Sequence, residues 1–220
     1  SSNSVMIALL AGAGFSKWAA GLPLAKELFD FQIEPFGVRE AAWLERAREL
    51  KSSWDEQHPG EPAEAFIAHA LEQGAESQRV VLWYVVRRLS DPYIWKEWHA
   101  GRWRRHVLML DENRKLARPG VRQVRDFLLT VMGPRLTGVI TTNYDLLMEY
   151  ALGTRGFNYG VPGEKIYGRG PYPLSQWRNP VALTGGIPLA KVHGSISWDM
   201  HGRYTDGRRG LTGGALLVAP

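Results

Sequence analysis

Apolar residues run without a break from Val5 to Ala11, and shorter apolar stretches return at Leu136–Thr141, Leu189–Val192 and Ala215–Val218. Short apolar runs bounded by turn signals mark buried strands, and the first, with no polar alternation, predicts a central parallel strand covered on both faces. Elsewhere the period is helical. From Ser16 to Phe31 the apolar spacing is broken by Gly21-Leu22-Pro23, which predicts a short first helix restarting near Pro23. Residues from about 38 to 133 read as helical almost throughout. Ala41–Leu50 and Pro62–Gln73 are amphipathic and separated by His58-Pro59-Gly60, and a third helix spans Ser77–Leu89. Asp91-Pro92 supplies an N-cap and first-turn proline for another, and a helix after Pro119-Gly120 places Val121, Val124, Leu128 and Val131 on one side until Gly133-Pro134 stops it.

After the strand at Leu136–Thr141, a helix from about Asp145 to Leu152 ends at Gly153. Thr154–Ile187, rich in Gly, Pro and aromatics, reads as a long irregular loop able to close over a ligand. Ser195–Tyr204 suggests a small hairpin around Met200-His201-Gly202. The order strand, glycine-rich turn, helix predicts an α/β fold, a Rossmann-like parallel sheet with a helical insertion layer. Residues 1–220 are read as one domain, with the insertion at 38–133 and the remainder of the core at 134–220. The sequence stops just after an apolar run, which is compatible with a fragment truncated at its C-terminal end.

Composition narrows the chemistry. The chain has no cysteine, which removes disulfides, thiolate nucleophiles and cysteine-ligated zinc, and suits a cytoplasmic protein. No apolar stretch reaches membrane-spanning length, and Val5–Ala11 lacks the basic flank of a secretory signal. A net charge of +5 and a pI near 9.6 are compatible with a nucleotide or an acidic partner. Basic residues crowd between Arg102 and Arg125, which reads as a solvated helical face ahead of a nucleic-acid or partner surface.

The candidate chemistry lies in three islands, each where a strand runs out: Gly12-Ala13-Gly14-Phe15-Ser16, Thr141-Thr142-Asn143-Tyr144-Asp145 and His193-Gly194. In open α/β sheets ligands bind at the carboxyl ends of the strands. Glycines let the backbone approach a phosphate, and the N–H groups of the next helical turn point at it. Lys17 stands where a full dinucleotide fingerprint has its third glycine, and the ending of a P-loop is missing. A tight turn with Ser16 as helix cap is the plain alternative. Asn143 and Asp145 suit a helix start as well as a polar ligand. His193 is placed as a base on a rigid support, or as a structural histidine. His58, His69, His99, His106 and His201 form no metal spacing, so no metal site is expected. Ser195 beside His193 does not make a triad, and there is no nucleophile elbow.

Taken in order, Gly-Ala-Gly-x-Ser, Thr-x-Asn-x-Asp and His-Gly resemble the sirtuin family. The resemblance implies NAD as the ligand: Gly12, Ala13, Gly14, Phe15, Ser16 and Thr142 would bind it, Asn143 and Asp145 would line the nicotinamide and ribose pocket, and His193 would be the catalytic base. Gly21-Leu22-Pro23 resembles the Gly-Ile-Pro segment of the family's flexible cofactor-binding loop. Sirtuin deacylases carry a four-cysteine zinc module after the His-Gly, and this chain has no cysteine to build one. With helical insertions in its place, a Tyr in Thr-Asn-Tyr-Asp and a Phe in Gly-Ala-Gly-Phe-Ser, the chain is similar to the zinc-free NAD-hydrolase domains of bacterial antiphage systems. That likeness implies an NAD glycohydrolase with NAD as substrate and no zinc. It also implies a homo-oligomer or a defence partner of Argonaute-like, ATPase-like or sensor type, indirect involvement of nucleic acid, and no membrane. The family's adenosine-binding motifs have no counterpart before Pro220. An NAD-dependent protein deacylase and a non-catalytic NAD or ADP-ribose-binding module are the alternatives.

Overall fold

Four parallel strands make the central sheet, in the order β1 (Ile7–Ala11), β4 (Leu136–Thr141), β7 (Ile187–Lys191), β5 (Phe157–Asn158). The computed structural model describes residues 5–91, 94–99, 102–107, 119–153, 156–159, 167–168, 186–199 and 215–217. The register puts Ala11 beside Thr141 and Thr141 beside Lys191, so the carboxyl ends of three strands finish in one row. This is the α/β, Rossmann-like arrangement that the alternation of elements predicts.

β1 differs from the expectation in one respect. It lies at the end of the strand order, and its burial alternates: Ala11 is buried while Leu10 is 71% exposed. Ile140 and Ala190, in register with Leu10, are exposed as well. Ala11, Val139 and Leu189 face the core instead. The all-apolar run therefore does not mean cover on both faces, because side chains alternate along a strand and the core takes one row of them.

Helix α1 (Ala13–Ala20) follows β1 directly and stops at Gly21, whose φ of 68° is left-handed. The expected restart is only a 3-10 turn at Ala25–Glu27, with Leu22 and Leu28 buried on either side of it. Glu27 accepts from the Leu24 N–H at 3.0 Å and pairs with Lys17 at 2.5 Å, tying the turn to α1. α2 (Val38–Gln57), α3 (Ala63–Glu72) and α4 (Ala75–Ser90) form the helical layer; α2 and α4 are longer than the predicted segments, and α3 falls one residue short of its own at each end. α4 packs against the other two and is buried over most of its length. Its Tyr84 hydroxyl donates to the Leu28 carbonyl at 2.9 Å and accepts from the Phe31 N–H at 2.9 Å, which fixes the chain that follows the 3-10 turn.

Two stretches read as helix are not α-helical. Ile94–His99 (β2) and Arg102–Val107 (β3) pair as antiparallel strands, so no helix follows Asp91-Pro92. Trp95 and Trp98, three apart, imitate a helical period. The pairing of Trp98 with Trp103 and of Trp95 with His106 gives these aromatic positions cross-strand neighbours, and that preference wins. Arg102, Arg104 and Arg105 thus belong to a strand rather than to a helical face, with Arg104 opposite Glu97. His99 and His106 sit on opposite strands. Arg114, Lys115 and Arg118 lie outside the described residues.

The second departure follows α5 (Pro119–Asp126), which continues as a π-helical segment, Phe127–Met132. A π turn holds more residues than an α turn. The fourth residue after Leu128, Met132, therefore returns to the core, and Val131, predicted inside, is 60% exposed. Val121, Val124 and Leu128 are buried as expected. At its start α5 meets the end of α1 so closely that a Cβ on Gly120 would lie 1.5 Å from the Ala19 carbonyl oxygen.

α6 (Leu147–Leu152) is buried along its whole length. β8 (Gly194–Asp199) pairs with β6 (Tyr167–Gly168) on one side and β9 (Ala215–Leu217) on the other, in a small antiparallel sheet. The hairpin expected around Met200-His201-Gly202 and most of the Thr154–Ile187 loop fall outside the described residues.

Candidate functional site

The Thr141–Asp145 loop is stitched to three neighbours by backbone hydrogen bonds. The Thr142 N–H donates to the Ala11 carbonyl at 3.4 Å, the Val192 N–H to the Thr141 carbonyl at 3.1 Å, and the Ile196 N–H to the Tyr144 carbonyl at 3.0 Å. Side chains hold it too. The Asn143 N–H donates to Thr141 Oγ1 at 3.0 Å, and Asn143 Nδ2 donates to Ser16 Oγ at 2.8 Å.

Both capping readings change here. The N-cap of α1 is Gly12, without a side-chain cap, so Ser16 is not the cap; buried in the second turn, it receives Asn143. The N-cap of α6 is Leu146, so Asn143 does not start that helix. Asp145 does serve it: Oδ1 accepts the Leu147 N–H at 2.9 Å, and the residue is buried. A carboxylate at a helix N-terminus is favoured by the partial positive charge there.

His193 follows β7, half-buried. Gly194 turns the chain into β8 with a φ of 88°, a conformation that a side chain would strain. The His193 and Tyr144 rings lie 6.2 Å apart, tilted by 45°. Burial raises the Tyr144 hydroxyl above its ordinary pKa, and the negative charge of Glu64 adds to the effect.

These residues open on a cavity of about 140 Å³. Its lining brings together Thr142, Asn143, Tyr144, Asp145 and His193 with Ala13 of the glycine turn. Pro23, Leu24, Ala25 and Leu28 form a second wall, and Glu64 of α3 and Leu89 of α4 a third. Gly12, Gly14, Phe15 and Ser16 do not line it. A Cβ on Gly12 would meet only Thr142 Oγ1, at 3.9 Å, and one on Gly14 would meet nothing within 4 Å. Among the described residues nothing else comes that close, which leaves beside these glycines the room a phosphate needs to approach the backbone.

Below the loop lies a buried ion pair. Lys191 Nζ is 2.9 Å from Glu149 Oε1, and both side chains are wholly inaccessible to solvent. Burial raises the Glu149 carboxyl above its ordinary pKa, against the opposing pull of the Lys191 ammonium. The Tyr159 hydroxyl donates to the same carboxylate oxygen at 3.1 Å. Ser195, two residues after His193, is fully buried on β8.

Residues 137–208 match the SIR2-like domain family. The match supports a sirtuin-like chain. The SIR2-like segment contains β4 from its second residue, the Asn143–Asp145 loop, β7 and His193-Gly194, while the glycine turn lies upstream of it. SIR2-like domains use NAD, so an NAD-related activity is indicated for this chain. No match was found among curated proteins. Among the described residues no group of three or more His, Asp or Glu could hold a metal ion, and no helix is long and apolar enough to cross a membrane.

Sequence reasoning missed Leu24, Ala25, Leu28, Glu64 and Leu89 in the cavity. Nothing in the local pattern marks them, since the helical layer and the sheet meet there only through the fold. Lys191 and Glu149 did leave a sign: each is a charge inside an otherwise apolar element, Ile-Pro-Leu-Ala-Lys and Leu-Met-Glu-Tyr-Ala-Leu. Buried charges of that kind are rare unless paired.

Proposed function

We propose that this chain is an NAD glycohydrolase that cleaves the nicotinamide–ribose bond to give nicotinamide and ADP-ribose. The observation that carries the reading is the meeting of Asn143, Asp145 and His193 with the first turn of α1 around one cavity, at the carboxyl ends of adjacent parallel strands. The cavity is smaller than the roughly 300–1,000 Å³ of sites that enclose drug-sized ligands. It therefore accommodates one end of a dinucleotide, the nicotinamide and its ribose, with the pyrophosphate running toward Gly12 and Gly14.

In the reaction the bond from ribose C1′ to the pyridinium nitrogen breaks, and its electron pair stays on the ring, so nicotinamide leaves neutral. Water adds to C1′ and gives up a proton to His193. Asn143, held by Ser16, positions that water or the nicotinamide carboxamide. The Asp145 carboxylate, one oxygen already engaged with the Leu147 N–H, orients the ribose and offsets the positive charge developing on it. Glu64 adds a second carboxylate to the same cavity. We further read the activity as NAD depletion in antiphage defence, carried out by an oligomer or with a partner protein. The lack of cysteine and the forms of the Thr-Asn-Tyr-Asp and Gly-Ala-Gly-Phe-Ser motifs support that part.

Nicotinamide release, assayed with and without an acylated peptide, tests the reading. Peptide-independent release is expected, falling about 10²- to 10⁴-fold in His193→Ala, the usual cost of removing a positioned base, and severely in Asn143→Ala, with folding retained in both. Turnover of the wild-type size in both variants refutes the site. Release that requires peptide makes the chain a deacylase, and tight binding without product makes it a sensor module.

A further inference from the structure

We infer that Lys191 is a positioning residue for this site: its buried ammonium, held by Glu149, clamps the backbone of the Tyr144–Asp145 segment and so sets where Asn143 and Asp145 stand. The inference rests on the proposed NAD-cleaving role only for what the clamp serves. The clamp itself is geometric. Lys191 Nζ has three N–H donors and three acceptors: the Asp145 carbonyl, the Tyr144 carbonyl at 3.4 Å and Glu149 Oε1 at 2.9 Å. Two of the three lie on the loop that carries the site, and the third is the anchor on α6. Lys191 also closes β7 two residues before His193, in register with Thr141 at the end of β4. One ammonium thus ties together the strand that delivers His193, the loop that delivers Asn143 and Asp145, and the helix beneath them.

Stability alone is a poor explanation for this pair. Desolvating two charges costs several kcal/mol per ion, and well-packed apolar residues often serve as well or better. Among the described residues the buried Glu149 Oε2 has no hydrogen-bond partner, so they do not fully satisfy the pair. What an apolar pair cannot do is donate to two loop carbonyls. The Ile196 N–H also holds the Tyr144 carbonyl, at 3.0 Å, and Lys191 adds the Asp145 carbonyl to the same anchored segment; a displacement of about 1 Å of a catalytic group costs on the order of 10²-fold in rate.

The test compares Lys191→Met, which leaves Glu149 buried and alone, with the double variant Lys191→Met/Glu149→Leu, which replaces the whole pair by apolar side chains. Both are measured for thermal unfolding, for kcat and KM of nicotinamide release across pH, and for amide hydrogen exchange of residues 142–147. Lys191→Met is expected to be the less stable of the two. The double variant should melt close to the wild type, yet exchange faster at 142–147 and lose about 10- to 100-fold in kcat, with little change in KM and with the pH profile unmoved. A double variant that is stable, protected at the loop and fully active overturns the clamp and leaves the pair a packing element. A shifted pH profile with loop protection intact also overturns it, since the ammonium would then act through its charge on His193. If the wild type neither binds nor cleaves NAD, the functional reading fails by itself, and the exchange of the loop still decides the clamp.

Discussion

Ser16→Ala separates two roles for one hydroxyl. The sirtuin resemblance assigns Ser16 to the ligand, but the structure buries it at 2% exposure and directs its Oγ to Asn143 Nδ2 at 2.8 Å. Alanine removes that acceptor with almost no change in volume and leaves the Asn143 amide without its anchor. The net worth of such a neutral hydrogen bond is about 0.5–1.5 kcal/mol. If that energy holds Asn143 in its productive orientation, kcat falls about 2- to 13-fold, at roughly 1.36 kcal/mol per decade. The substrate's own contacts are untouched, so KM should hardly move, and the melting temperature should drop by only a few degrees. Steady-state nicotinamide release over a range of NAD concentrations reads both parameters. A raised KM at constant kcat refutes the reasoning and returns Ser16 to the pyrophosphate, and unchanged values of both show that Asn143 needs no help from α1.

Two further predictions concern the frame around the site. Gly120→Ala drives a Cβ into the Ala19 carbonyl, a backbone atom that cannot swing aside; α1 and α5 must separate, and unfolding by denaturant should show a loss of about 1–3 kcal/mol or more, whereas a wild-type midpoint would mean the helices slide apart freely. Arg88 donates to both oxygens of Asp30, at 2.9 and 2.7 Å. Burial pushes the Asp30 carboxyl up, but the hydrogen bonds from Arg88 and from the Gln32 N–H, together with the Arg88 charge, outweigh it and leave the pKa below the ordinary 3.8. A carboxyl lowered by folding adds stability above its unfolded pKa and loses it as the pH falls through the folded one. Asp30→Asn should therefore be less stable at pH 7, and its deficit should shrink as the pH falls below 3.8 and through the lowered folded-state pKa; a deficit independent of pH would show that the pair acts through packing.

The strands were legible because a buried strand needs nothing but local apolarity and a boundary. β4 occupies Leu136–Thr141, as its pattern predicts, and β7 and β9 lie within a few residues of theirs. The β2–β3 pair was not legible as strand, because Trp95 and Trp98 carry a period that only their partners on the other strand can reassign. Nor was the phase slip at Phe127–Met132, since the choice between an α and a π turn depends on which side chain the core accepts.

The same division runs through the site. Residue types and their order at strand ends mark Asn143, Asp145 and His193 by themselves as candidates for chemistry, since each follows an apolar run that must stop where its polar side chain begins. Only the tertiary structure decided how they are used. Strand order brings residues 11, 141 and 191 into one row, so that Ser16 meets Asn143, Glu64 of a distant helix joins the cavity, and a lysine hidden in a strand reaches the carbonyls of the loop. Such partners are chosen by distances across the core, and a distance between residues some 46 to 130 positions apart is set by packing, which no local pattern contains.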